Sequence, residues 1–121
     1  MVVIRAQLHR IDVVGELMCQ SHASYSDLGL GSTGTDQIFS LVASRRQDGA
    51  LFGAKITGGG CGGAVCILGT ASLAATSAVD EVRASYMAAS GKDPLEGYCF
   101  SGSSMGALQF GHLRVKRQPC T

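Results

Sequence analysis

A chain of 121 residues, 45% of them hydrophobic and 16% charged, can build one core but is too short for two full-sized domains and too apolar for a disordered segment. Ten basic against nine acidic residues leave a formal net charge of +1, which disfavours a domain that grips nucleic-acid phosphates. No apolar stretch approaches the roughly 20 residues of a membrane helix, so neither nucleic acid nor membrane is expected as a partner. The five cysteines form an odd set without CxxC spacing, and Met1-Val-Val-Ile-Arg5 lacks the layout of a signal peptide; a reducing, cytoplasmic setting is expected.

Ile4, Leu8, Ile11, Gly15, Met18 and His22 recur at intervals of three or four, which predicts an amphipathic helix over residues 4–22. Residues 25–34 break it, because three glycines in six residues cost a helix interior too much backbone entropy. Thr33 or Thr35 then reads as the N-cap of a short second helix, with Asp36 three residues after Thr33 in capping-box spacing and Ile38, Leu41 and Val42 as its stripe. That helix should end near Arg46, ahead of Asp48-Gly49. Residues 51–57 and 64–68 are short, apolar and rich in β-branched side chains, and read as strands.

Ser72 is placed to cap a third helix running to about Ser90, with Ala75, Val79, Val82, Tyr86 and Ala89 facing inward and Gly91 as its stop. Residues 97–101 and 111–116 read as two more strands, the last with its basic residues toward solvent. Helix, helix, hairpin, helix, strand, strand contains too few βαβ crossovers for a doubly wound fold. It predicts one α+β domain over residues 1–121, an antiparallel sheet with helices on one face. A chain opening directly in a helix implies that the sheet lacks its first strand.

Two stretches match G-x-G-x-x-G, at residues 29–34 and 58–63. A dinucleotide fingerprint needs a strand before it and a helix after it, and neither match has that context. Neither ends in the Gly-Lys-Ser/Thr of a Walker A loop. Yet five glycines among the six residues 58–63 exceed the two or three that a tight hairpin requires. Consecutive residues without Cβ let successive N–H groups converge on an anion, which makes this a candidate phosphate-facing loop; a long flexible hairpin is the competing reading.

The segment Gly53-Ala-Lys-Ile-Thr-Gly-Gly-Gly-Cys-Gly-Gly-Ala-Val-Cys66 resembles the third motif of the GHMP kinases, the superfamily of galactokinase, homoserine kinase, mevalonate kinase and phosphomevalonate kinase. Gly15-Glu-Leu-Met-Cys-Gln-Ser-His-Ala-Ser-Tyr25 is similar to the helix that precedes that motif in galactokinases. Within the superfamily, the plant L-arabinokinases look nearest, through Tyr25-Ser, Gly29-Leu-Gly-Ser, Gly34-Thr-Asp36 and Gly102-Ser-Ser-Met-Gly-Ala107 followed by Phe110-Gly. The likeness runs over about residues 12–117.

This resemblance implies a ferredoxin-like C-terminal domain from an ATP-dependent kinase that phosphorylates C1 of L-arabinose or a galactose-like sugar. ATP and Mg²⁺ would be its cofactors in the complete kinase, and a sugar and the missing N-terminal kinase domain its partners. Thr57, Gly58, Gly59, Gly60, Cys61, Gly62 and Gly63 would form a loop facing phosphate and substrate, and Gly31, Ser32 and Asp36 a turn on the sugar side. No catalytic residue and no metal ligand are assigned to this chain. In the family the sugar motif, the main ATP loop and the acidic residue at the attacking hydroxyl lie in the N-terminal domain, so the domain alone is expected to be inactive. Residues 29–34 imitate the family's second motif, the ATP loop, but at the wrong place in the chain. The alternative is a non-catalytic interaction or regulatory module built on the same fold. Lys55 reads equally as a charge aimed at phosphate or as a solvent-facing lysine, and His22 as a capping or core histidine.

Overall fold

The computed structural model describes residues 2–5, 10–91, 99–102 and 105–115. In chain order they form β1 (Val2–Arg5), α1 (Ile11–Asp27), α2 (Thr33–Ala43), a 3₁₀ turn (Arg46–Asp48), β2 (Leu51–Thr57), β3 (Ala64–Gly69), α3 (Leu73–Ser90), β4 (Phe100–Ser101) and the one-turn α4 (Ala107–Phe110). The fold class is α+β. The strands make one sheet in the order β2-β3-β1-β4. β2 and β3 form an antiparallel hairpin at one side of the sheet, in register from Thr57 opposite Ala64 to Leu51 opposite Gly69, with an irregularity between Leu51 and Gly53.

The chain does not open in a helix. Val2–Arg5 is a strand, and α1 begins only at Ile11. Ile4 and Leu8 share helical spacing with Ile11, but Ile4 belongs to a strand and Leu8 lies outside the described residues. Val2 to Arg5 run alongside Cys66 to Gly69, whose backbone offers a ladder on that side; tertiary pairing therefore overrides the local period. This strand is parallel to β3 and to β4. The slot beside β3 is thus filled, but in the sense opposite to that of an all-antiparallel sheet.

Capping chemistry settles the helix starts. Ser32, not Thr33 or Thr35, is the N-cap of α2: its extended backbone (φ −145°, ψ 153°) turns the side chain back onto the Thr35 amide. The Thr35 hydroxyl reciprocates by accepting from the Ser32 amide, which completes a capping box without an acidic partner. Ser72 caps α3 as its sequence predicts, accepting from the Ala75 amide at 3.2 Å, and Gly91 ends that helix in the left-handed region at φ 63°. Along α3 the buried positions are Ala75, Val79, Val82 and Met87, while Tyr86 is only half-buried and Ala89 is exposed.

The predicted last strand is absent from residues 111–115, which are exposed and irregular after α4; Lys116 lies outside the described residues. Polar and apolar residues alternate there, but among the described residues no strand pairs with them, and alternation alone does not make a ladder. Of the strand predicted at 97–101, the described part is β4.

The core gathers Val42 from α2, Ala50, Leu51 and Ala54 from β2 and its approach, Val65 and Ile67 from β3, and Ala75, Val79 and Val82 from α3. Ile38, Phe39 and Leu41 pack against it. Helix α1 lies against β2, the outer strand of the sheet. The two backbones nearly touch where Gly15 crosses Gly53: a Cβ on Gly15 would sit 2.3 Å from the Phe52 carbonyl oxygen, and one on Gly53 2.3 Å from the Gly15 oxygen. Two glycines at one crossing let α1 lie close enough to reach the end of β2 with its own last turn.

Candidate functional site

The hairpin loop joining β2 to β3 is the glycine-rich stretch 58–63. Gly58, Gly60, Gly62 and Gly63 all have positive φ (75°, 86°, 116° and 95°), a region that costs side-chain-bearing residues steric energy. The glycine content is therefore demanded by backbone conformation. Cys61, the one side chain in the stretch, also sits at positive φ (58°) and is exposed.

The loop is tied down. The Cys61 amide donates to the Leu30 carbonyl at 2.6 Å, and Gly60 passes so close to Leu30 that a Cβ there would be 2.7 Å from both its Cβ and its oxygen. The Tyr25 hydroxyl donates to the Gly58 carbonyl at 3.0 Å. At the loop's base the Thr57 hydroxyl reaches the Ala64 carbonyl at 3.5 Å. Among the described residues, the amides of Gly58, Gly59, Gly60, Gly62 and Gly63 have no backbone acceptor. These contacts hold the loop against the end of α1 and the turn that follows it.

Leu30 belongs to the turn between α1 and α2. There Gly29 (φ 73°) reverses the chain, and the Leu30 amide bonds back to the Tyr25 carbonyl at 2.9 Å. Gly31 follows, tightly placed: a Cβ on it would be 3.0 Å from the Ser26 Oγ and 3.3 Å from the Asp36 Oδ1. The structure thus brings Gly31, Ser32 and Asp36 to the same end of the molecule as residues 57–63, joined through Leu30 and Cys61.

Asp36 is engaged within this turn. Its Oδ1 accepts from the Ser26 hydroxyl at 3.3 Å and lies 3.2 Å from His22 Nε2, while about half of the side chain is exposed. His22 itself is buried, and its Nδ1 accepts the Ile56 amide at 3.3 Å. An accepting Nδ1 carries no proton, so the neutral ring holds its hydrogen on Nε2, facing Asp36. The ring stacks on Phe39 with centroids 4.2 Å apart. His22 therefore joins α1, α2 and the end of β2. The capping-or-core reading becomes a specific one: it satisfies an outward-facing amide of the sheet's outer strand.

Lys55 is half-buried, and its Nζ lies 5.4 Å from the centroid of the Tyr25 ring, a cation–π distance. Across the ladder from Lys55 stands Cys66, only 6% exposed; burial raises its thiol pKa, and the Lys55 charge opposes that rise in part. Sequence reasoning missed Tyr25 and Leu30. The signal for Tyr25 was its spacing three residues after His22, on the helix face that meets β2; Leu30 acts through its carbonyl, which no side-chain pattern reveals.

No group of three His, Cys, Asp or Glu side chains among the described residues could hold a metal ion, and no described helix is long and apolar enough to cross a membrane.

Comparison with known proteins follows the same residues. The family model of the GHMP kinases C-terminal domain matches residues 4–88. L-arabinokinase of Arabidopsis thaliana is 45% identical over 115 residues, covering 90% of this chain and 11% of that protein. The chain therefore spans about a tenth of the length of that curated relative. No solved structure matches.

Proposed function

From the premise that the chain belongs to the GHMP kinases as a C-terminal domain, we propose that it is the C-terminal part of an ATP-dependent sugar kinase. The reaction would transfer the γ-phosphoryl of ATP to the C1 hydroxyl of L-arabinose or a galactose-like sugar. The observation that carries the reading is the anchored glycine loop: on either side of the Cys61 amide, which Leu30 holds, the amides of Gly58, Gly59, Gly60, Gly62 and Gly63 are free of backbone acceptors, and four of these glycines have positive φ. Such a row suits a phosphate oxygen, because each N–H brings a partial positive charge without a side chain in the way.

In this proposal residues 57–63 form one wall of the cleft, and Gly31, Ser32 and Asp36 stand toward the sugar. ATP supplies the phosphoryl group. Mg²⁺ would enter with the nucleotide. The main phosphate loop and the acidic group at the attacking hydroxyl would come from an N-terminal kinase domain, so the 121 residues alone should not turn over. A cytoplasmic setting accords with the free thiols of Cys19, Cys61, Cys66 and Cys99.

The test is a protein joining this chain to an N-terminal kinase domain. Calorimetry should show binding of ATP and of L-arabinose or galactose, and phosphorus NMR should show a sugar 1-phosphate. Binding of neither ATP nor any pentose or hexose would overturn the reading and leave the interaction or regulatory module in its place.

A further inference from the structure

Three backbone groups in residues 56–61 are satisfied by one short segment of the chain. The Ile56 amide is taken by the His22 Nδ1, the Gly58 carbonyl by the Tyr25 hydroxyl, and the Cys61 amide by the Leu30 carbonyl. The end of α1 and the turn after it thus act as a template along which the strand end and the loop are laid. The middle tie differs from its neighbours. Ile56 lies in the strand, and the Leu30 bond is backbone to backbone, whereas at Gly58 a single side chain fixes the first peptide of the loop.

That side chain has a second engagement: the face of its ring lies 5.4 Å from the Lys55 ammonium. Lys55 and Gly58 leave the same strand end three residues apart, and Tyr25 touches both. A lysine on a flexible stem otherwise samples many positions, and an aromatic face narrows them at small electrostatic cost.

We propose that Tyr25 is the positioning residue of the glycine loop, holding the Gly58 peptide through its hydroxyl and seating the Lys55 ammonium with its ring, so that an entering phosphate meets a pre-set row of amides beside one fixed cation. The inference rests on the reading of residues 57–63 as phosphate-facing. Its physical content is pre-organisation: amides already held in place lose little freedom when an anion binds.

Two substitutions separate the hydroxyl from the ring. Tyr25→Phe keeps the ring and the cation–π contact but deletes the bond to Gly58; Lys55→Met keeps the bond and deletes the charge. Exchange of the Cys61 amide, the loop amide bonded to the Leu30 carbonyl, should rise several-fold in Tyr25→Phe and stay unchanged in Lys55→Met, with protection of α3 equal in both. In the protein joined to its N-terminal kinase domain, each should raise KM for MgATP about fivefold, the scale of one hydrogen bond or one partly exposed charge. The thermal midpoint should hold within about 2 °C, and Tyr25→Trp should not restore KM.

Unchanged exchange in Tyr25→Phe overturns the proposal, as does a KM equal to the parent's in both variants. A fall in thermal midpoint with parental KM would reduce Tyr25 to packing, and also overturns it. If the parent itself binds no ATP, the kinase reading fails, and the exchange experiment still decides whether Tyr25 orders the loop.

Discussion

The same residue type carries opposite tolerances within one loop. At Gly60 a Cβ would lie 2.7 Å from Leu30 in a backbone at φ 86°, whereas at Gly59 nothing stands within 4 Å and φ is not positive. Gly60→Ala should cost about 2 kcal/mol or more, from strain and the clash together, and Gly59→Ala should stay within about 0.5 kcal/mol. Urea unfolding of the two variants checks this. Gly15→Ala should be more severe, about 3 kcal/mol or failure to fold, since its Cβ would meet the Phe52 backbone, which cannot turn aside.

Cys66 gives a pH dependence with a definite sign. Burial raises its thiol pKa above the ordinary value, so the folded state favours the neutral form. The stability associated with this group is complete below the unfolded thiol's pKa, about 8.5, and is lost as pH rises beyond it. Thermal midpoints from pH 7 to 10 should fall more steeply for the parent than for Cys66→Ala. Alkylation followed by mass spectrometry should label exposed Cys61 and Cys99 well before Cys66.

Among the elements, the two caps make paired predictions. Ser32 serves α2 and Ser72 serves α3, each accepting an amide that otherwise has no partner in its helix. Ser32→Ala and Ser72→Ala should each cost about 1 kcal/mol, and, with no shared partner, the double variant should show nearly their sum. Circular dichroism with urea reads both.

Much of this level was legible in advance. The β2 and β3 hairpin, the span of α3, its cap and its glycine stop follow from signals confined to a few adjacent residues. The start of α1 was not legible, because the apolar spacing from Ile4 continues smoothly into the helix and only pairing with β3 ends it. The cap of α2 was misplaced, by one residue at Thr33 or three at Thr35, since Ser32, Thr33 and Thr35 are all competent acceptors and backbone geometry chooses among them.

At the scale of the whole molecule, one core links α2, the hairpin and α3, so damage in it should lower the stability of all three together. Ile67, fully buried at its centre, should lose about 3 kcal/mol on replacement by Ala, with helical and tyrosine signals falling in one transition. Outside that core, Met105, Leu108, Phe110, Leu113 and Val115 are all exposed, and such a concentration of apolar side chains within residues 105–115 favours association. Sedimentation of the 121-residue chain should therefore show association that grows with concentration; strictly monomeric behaviour would contradict it.

Composition and glycine placement were enough to identify the α+β class and the loop between β2 and β3, because backbone sterics and turn chemistry act over a handful of neighbours, while the family came from the resemblance of residues 53–66 to a known motif. Only the tertiary structure decided what the loop is attached to. Tyr25 and Gly58 are 33 residues apart in the chain, and Leu30 meets Cys61 through a carbonyl that every residue possesses. Strand sense and the partners of His22 belong to the same class of fact. They depend on which distant backbone groups remain unsatisfied once the core has packed, and no local pattern encodes that remainder.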